Sequence, residues 1–257
     1  KLLEENGANF RDPHQAQERP PVWERIHELD DAHLWAAHIS QKKRLSHFVR
    51  GRLQNQFARH GESPTFLKDL TNALDSKVLT IGFARRFATY KRAALIFSDP
   101  ERLSRLIWNK ERPVQLLFAG KAHPADRPGQ EMIRQIFAAS QSERFRERIF
   151  ILEDYDMQVG RFMVQGADIW LNNPRRPLEA SGTSGMKAAA NGVLNCSVLD
   201  GWWDEGFAHD NGWAIGSRDV DSNEQAQDHH DAESLYRLLE EEIIPTYYHR
   251  DSNGVPT

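Results

Sequence analysis

The sequence holds a single cysteine, Cys196, among 257 residues. That count excludes an intrachain disulfide and a multi-cysteine zinc or iron–sulfur centre, and it fits a reducing, cytoplasmic location. No stretch approaches the roughly 18 consecutive apolar residues that cross a bilayer. The opening residues, KLLEENGANFRDPH, also lack the apolar core of a signal peptide, so no membrane partner is expected. An excess of positive charge is missing as well. With 33 basic and 37 acidic side chains the formal charge is -4, and nothing draws the chain as a whole to nucleic acid. Any anion site has to be local. The chain starts at Lys rather than Met, which points to a fragment or a processed protein.

What is present suffices for a core. Hydrophobic residues make up 39% of the composition, and the length suits one large domain or a domain with a smaller attachment. Residues 1–28, broken by Pro13, Pro20 and Pro21, read as a polar lead-in. Across residues 30–59 the spacing of Leu45, Val49, Leu53 and Phe57 predicts an amphipathic helix, ended by Gly61 and Pro64. Lys42, Lys43 and Arg44 read as its solvated face. The expected division is a helical lead-in and linker over residues 1–70 and a Rossmann-like body over residues 71–257.

Beyond Pro64 short apolar runs alternate with helical periods. Strands are expected at 78–83, Val114–Ala119, 148–152, 167–171 and 193–199. Helices are expected at 90–97, 130–139, 157–164 and 224–244, the last stopped by Pro245. This alternation predicts an α/β fold, a mostly parallel sheet covered by helices on both faces, with function at the C-terminal ends of the strands.

Chemistry concentrates in a few segments. EASGTSGMKAAANG, from Glu179 to Gly192, joins a small-residue turn to a short helix. Gly182 and Gly185 permit close backbone approach, while Ser181, Thr183 and Ser184 carry hydroxyls that suit a phosphate. Lys187 then reads either as the holder of an aldehyde cofactor or as a solvent-facing lysine behind a glycine-rich cap. Arg85, Arg86, Lys91 and Arg92 follow the first strand, as phosphate ligands or as ordinary helix-surface charge. Gly120 to Pro124 follow the second strand, with His123 reading as structural. Asp168, with Asn172 and Asn173, reads as a carboxylate available to sugar hydroxyls. Trp202 and Trp203 read equally as ligand wall and as packing, and His229, His230 and Asp231 as a polar helix entrance rather than a metal site.

The stretches GFARRFATYKR, LLFAGKAHP, FILEDYDM, ADIWLNNPRRPLEASGTSGMKAAANG and SVLDGWWDEGF run in this order from Gly82 to Phe207. With them the chain resembles the α-glucan phosphorylases of glycogen, starch and maltodextrin, especially the shorter bacterial and archaeal type. The resemblance implies a Rossmann-like domain that is the C-terminal half of a two-domain GT-B glycosyltransferase fold. It implies pyridoxal 5'-phosphate as cofactor, with Lys187 as the Schiff-base lysine and Gly182, Thr183 and Ser184 around the phosphate. Arg85 falls in the same phosphate environment, and Tyr155 matches a tyrosine near the cofactor. Arg86 and Lys91 match catalytic basic residues at the substrate and cofactor phosphates, while Glu179, Ser181 and Gly182 match the glucose-binding segment. The implied reaction is phosphorolysis of an α-1,4-glucan by inorganic phosphate to α-glucose 1-phosphate, with retention. The implied partners are the N-terminal domain and a second copy in a homodimer, and without that domain the isolated chain is expected to be catalytically incomplete. Two other readings stand beside it. One is a nucleotide-sugar glucosyltransferase of similar architecture, against which Lys187 in its glycine-rich setting argues; the other is a non-catalytic sugar-binding or regulatory remnant.

Overall fold

The computed structural model describes residues 25–256. Pro13, Pro20 and Pro21, on which the lead-in reading rests, lie outside the described residues. After a 3-10 turn at Arg25–Glu28 comes α1 (Asp31–Arg59), whose N-cap Asp30 accepts from the Ala32 amide. A short helix, α2 (Pro64–Asp69), is capped by Ser63 and leads to the first strand.

Six strands follow: β1 (Leu79–Ala84), β2 (Val114–Ala119), β3 (Ile149–Leu152), β4 (Ile169–Asn172), β5 (Leu194–Val198) and β6 (Gly212–Ile215). They form one sheet of order β3-β2-β1-β4-β5-β6, and every pairing is parallel. Between them lie α3 (Pro100–Ile107), α4 (Arg127–Gln141), α5 (Met157–Gly166), α6 (Thr183–Ala189) and α7 (Trp202–Gly206); α8 (Glu224–Leu238) follows β6.

Alternation along the strands sends successive side chains to opposite faces, and both faces are buried under helix layers, one wholly apolar and the other interspersed with the buried Thr80, Gln115, Asn172, Asn195 and Ser197. Leu79, Ile81, Phe83, Leu116, Phe118, Ile151, Leu171 and Val198 join one core with Leu235, Tyr236 and Ile243. Leu117, Ala119, Phe150, Leu152 and Trp170 join the other with Leu45, Val49, Leu53 and Phe57 of α1 and Val159 and Met163 of α5. The α1 stripe therefore closes a face of the sheet. Where α1 crosses α5, a Cβ on Gly166 would stand 2.7 Å from Leu45 Cβ and 2.8 Å from the Gln41 carbonyl, so only glycine allows the approach.

The structure departs from the sequence reading in four places. Lys42 is not on the solvated face: it is 1% exposed, and its Nζ donates to Asp168 Oδ2 (2.5 Å), the Val78 carbonyl (2.7 Å) and Tyr247 Oη (2.7 Å). Lys43 and Arg44 do face outward, lining an open groove of about 680 Å³ with Phe48 and Phe162, whose rings stack 4.3 Å apart. The expected helix at 90–97 is two 3-10 turns, Thr89–Lys91 and Leu95–Phe97, separated by Arg92 in the left-handed region at φ 44. Its side chain binds other segments and holds the backbone out of a helix. The edge strand β6 is an addition, too half-exposed in GWAI to announce itself. Finally, Pro245 does not stop the last helix. A π turn at Leu239–Ile243 absorbs the mismatch, and Pro245 opens α9 (Ile244–Tyr248), where its missing N–H costs nothing.

Candidate active site

Strand order reverses between β1 and β4, and in such sheets the crevice outside their C-terminal ends is the place for a ligand. The loop after β1 is stitched to the loop after β2: the Arg85 amide donates to Ala119 (3.2 Å) and the Phe87 amide to Lys121 (3.0 Å). Gly120 is required between them, since a Cβ there would stand 2.1 Å from the Arg85 carbonyl. Phe87 then anchors in the core, which leaves Arg85 buried, Arg86 exposed and Lys91 partly buried at the crevice.

From the loop after β4 comes Glu179, itself buried. Its carboxylate accepts from Arg85 Nη2 at 2.8 Å and from Lys91 Nζ at 3.1 Å, and its amide donates to Asp200 Oδ2 at 2.8 Å. Two cations thus share one carboxylate. Arg85 Nε and Nη1 are buried with no partner, although buried donors are almost always paired. Burial draws the Arg85 guanidinium down from its usual range, with Glu179 opposing. Those two free nitrogens, with three N–H bonds between them, and the surplus positive charge suit an anion.

Gly182, left-handed at φ 88, opens α6. A Cβ on Gly185 would stand 2.7 Å from both Asn195 Oδ1 and Trp202 Nε1, so this turn packs as tightly as backbone allows. Gly201, at φ 58, would bring a Cβ within 2.5 Å of the Ser181 carbonyl, which accepts from the Trp202 amide at 2.8 Å. Ser184 Oγ accepts from Trp170 Nε1 at 3.3 Å and keeps its own proton to donate. Thr183 and Lys187 are exposed on α6, and Lys187 Nζ has no partner among the described residues.

The sequence candidates therefore fall into two groups. Arg85, Lys91 and Glu179 form one hydrogen-bonded cluster, with Arg86 exposed beside it; Ser181, Gly182, Thr183, Ser184 and Lys187 lie on the turn and helix that follow Glu179. Tyr155, after β3, is half-buried against Gly160, and burial pushes its phenol up; no hydrogen bond joins it to either group.

The reading of Asp168 with Asn172 and Asn173 is corrected. Asp168 lies at the opposite end of β4 from the crevice, 6% exposed, where it accepts from Lys42, from the Thr80 amide (2.7 Å) and from His38 (2.7 Å). Burial works against its charge, but Lys42 and His38 outweigh this and hold it below the ordinary carboxylate range. No sugar hydroxyl reaches it. Asn172 and Asn173 donate to Ser197 Oγ and the Arg92 carbonyl, fixing loops. His123 accepts from the Ala125 amide in a local turn. Trp203 is core, whereas Trp202 lies half-buried over Gly182 and Gly185. His229 and His230 are exposed, and Asp231 is buried against Arg92. Among the described residues no three metal-ligating side chains converge, and no helix is long and apolar enough to cross a membrane. Sequence reasoning missed Asp200 and the bridging role of Arg92. Only the basic run at 85–92 hinted at the latter, because its partners are about 80 and 140 positions away.

Comparison with known proteins bears on the same segments. The family model for carbohydrate phosphorylase matches residues 29–243. The chain is 47% identical over its whole length to a glycogen phosphorylase of Aquifex aeolicus, covering 36% of that protein. It is 48% identical over 88% of its length to a maltodextrin phosphorylase of Thermococcus litoralis, covering 27% of it. A glycogen phosphorylase of Mycobacterium tuberculosis is 46% identical over 92% of the chain, which covers 28% of that protein. The chain thus spans between about a quarter and about a third of the length of these curated relatives. Since the matched span takes in the whole sheet, the crevice cluster and the glycine-bounded turn that ends in Lys187, this chain belongs to the carbohydrate phosphorylase family.

Proposed function

We propose that the chain is the cofactor-carrying part of an α-glucan phosphorylase that releases α-glucose 1-phosphate from an α-1,4-glucan and inorganic phosphate, with retention. The observation that carries this reading is Arg85, buried on Glu179 with two unpartnered guanidinium nitrogens, in the crevice whose next segment presents Lys187. The remaining length of the protein would supply the other wall of the cleft, so the chain alone should not turn over. The same proposal takes residues 71–257 as the Rossmann-like body, residues 1–70 as the lead-in, a homodimer as the assembly and the cytoplasm as the location. The lone buried Cys196 thiol is consistent with that last point.

The residues present fit pyridoxal 5'-phosphate. Lys187 offers an uncommitted primary amine to its aldehyde, and Thr183, Ser184 and the unpartnered nitrogens of Arg85 supply donors for its phosphate. When bound, the cofactor supplies a second phosphate that relays a proton through inorganic phosphate.

Arg86 and Lys91 bind inorganic phosphate and offset the crowding of two anions. Glu179, with Ser181 and Gly182, orients the glucose hydroxyls. At present its carboxylate balances Arg85 and Lys91; an arriving phosphate takes over that charge and leaves the carboxylate free to accept from the sugar. The glycosidic oxygen takes a proton from inorganic phosphate as its bond to C1 breaks, and a phosphate oxygen then bonds C1 on the same face. These are positioning and charge-stabilising roles.

The test is reconstitution of the chain with pyridoxal phosphate, borohydride reduction and peptide mapping. The adduct is expected on Lys187 and should vanish in Lys187→Ala. A folded chain, checked by circular dichroism, that carries no adduct there overturns the cofactor site. In a phosphate-dependent maltodextrin assay, turnover by the chain equal to that of the full-length protein overturns the incomplete-cleft reading.

A further inference from the structure

Lys91 and Glu179 meet at 3.1 Å, yet the sheet does not set that distance. β1 and β4 pair only through Ile81 with Ile169 and Gly82 with Trp170. Both side chains lie several residues beyond the ends of their strands, at Ala84 and Asn172. Two loops must be held together by something other than the ladder.

Arg92 does this. It follows Lys91 directly, is 4% exposed, and sits at φ 44, a backbone region a non-glycine residue occupies when its surroundings over-determine it. Its Nε donates to the Asn173 carbonyl at 3.0 Å and its Nη2 to the Pro174 carbonyl at 2.9 Å. The same guanidinium reaches α8, with Nη1 on Asp228 Oδ1 at 2.8 Å and Nη2 on Asp231 Oδ2 at 2.6 Å. In return the Arg92 carbonyl accepts from Asn173 Nδ2 at 2.9 Å. The Arg175 amide donates to the Tyr90 carbonyl at 2.7 Å, and its guanidinium shares Asp228 at 2.6 Å. Residues 90–92 and 173–175 are thereby bound in both directions and pinned to a third element.

We propose that Arg92 is a positioning residue that fixes the separation of Lys91 from Glu179 by tying the loops after β1 and β4 to each other and to α8. It touches neither phosphate nor sugar. The inference rests on the phosphorolysis reading of the crevice for the roles of Lys91 and Glu179. Lysine at position 92 keeps the charge but loses the planar fork, so it reaches no more than part of a set of two carbonyls and two carboxylates.

The experiment compares the full-length holoenzyme with its Arg92→Lys and Asp231→Asn variants. The readouts are kcat, KM for phosphate and for maltodextrin, bound-cofactor absorbance, melting temperature, and calorimetric affinity for inorganic phosphate. Arg92→Lys is expected to keep its cofactor and fold while kcat falls about tenfold or more, in line with a small misplacement of a binding group. Its KM for phosphate should rise, its KM for maltodextrin should not, and its phosphate affinity should weaken by about fivefold, a shift well short of losing a whole charge-assisted contact. Asp231→Asn, which leaves both carbonyl contacts in place, is expected to shift the same quantities in the same direction by less. Wild-type constants in Arg92→Lys overturn the proposal. So does a loss of activity that tracks cofactor loss or melting with KM for phosphate unchanged. A wild-type enzyme that makes no glucose 1-phosphate refutes the phosphorolysis reading instead. The calorimetric arm still judges Arg92, since equal phosphate affinity in wild type and Arg92→Lys overturns the positioning role by itself.

Discussion

Replacing Lys42 by methionine isolates the ion pair under the sheet. The Lys42 ammonium spends all three protons, on Asp168, the Val78 carbonyl and Tyr247. It thereby joins α1, the entry to β1, the entry to β4 and the last helix. Methionine keeps the apolar stem and removes the charge, leaving the Asp168 carboxylate buried with only His38 and the Thr80 amide, each at 2.7 Å. Removing one partner from a buried pair costs about 3–5 kcal/mol, which for a chain of this length lowers the melting temperature by on the order of 10 °C. Asp168→Asn added to Lys42→Met should recover much of that loss, because the penalty is the unpaired charge rather than the missing bond. The pH dependence has a definite sign. The folded Asp168 carboxyl lies below its unfolded value, so its contribution is complete above the unfolded value of about 3.9 and is lost as pH falls through the folded one. Asp168→Asn should flatten that acid limb. Urea unfolding followed by tryptophan fluorescence and circular dichroism reads all of this. A Lys42→Met chain within about 1 kcal/mol of wild type, less than any buried-pair loss, or a double variant no more stable than the single one, refutes the reasoning. Because the pair lies at the end of β4 opposite the crevice, labelling of Lys187 in the folded fraction should stay unchanged.

Three further outcomes are expected. Gly185→Ala gains helix propensity of about 1 kcal/mol but drives a Cβ to 2.7 Å from Asn195 and Trp202; a net loss of stability and of cofactor uptake should appear in melting and absorbance. Gly166→Ala meets Leu45 Cβ and the Gln41 carbonyl, which forces α1 off α5 and should cost about 1–3 kcal/mol in urea unfolding, as overpacking does. Glu179→Gln leaves Arg85 and Lys91 without their carboxylate, so the variant should be less stable than wild type without phosphate yet gain more melting temperature from added inorganic phosphate. An equal phosphate response in both proteins would show that Glu179 does not compete with anions.

Much of the architecture was legible because it rests on local regularities. The spacing of Leu45, Val49, Leu53 and Phe57 placed α1, and the apolar run at Val114–Ala119 placed β2 to the residue. The segments that were misread are those where distant side chains overrule local preference. Residues 90–97 have a helical pattern but break at Arg92, whose partners are on the β4 loop and α8. Lys42 sits in a charged run that looks solvated, and only Asp168, far along the chain, explains its burial. The candidate site shows the same division. Its glycines and cations were visible as a list, but nothing local announced that Arg85 and Lys91 converge on Glu179.

The sequence by itself determined the α/β class, the two-faced sheet and the family, because hydrophobic period and ordered motifs are properties of neighbouring residues. The tertiary structure decided strand order, and with it the crevice between β1 and β4. It also decided which carboxylate serves the crevice and which is locked beneath the sheet: Glu179 and Asp168 are both acids near β4, but a strand has two ends, and only the C-terminal end opens toward the loops that bind.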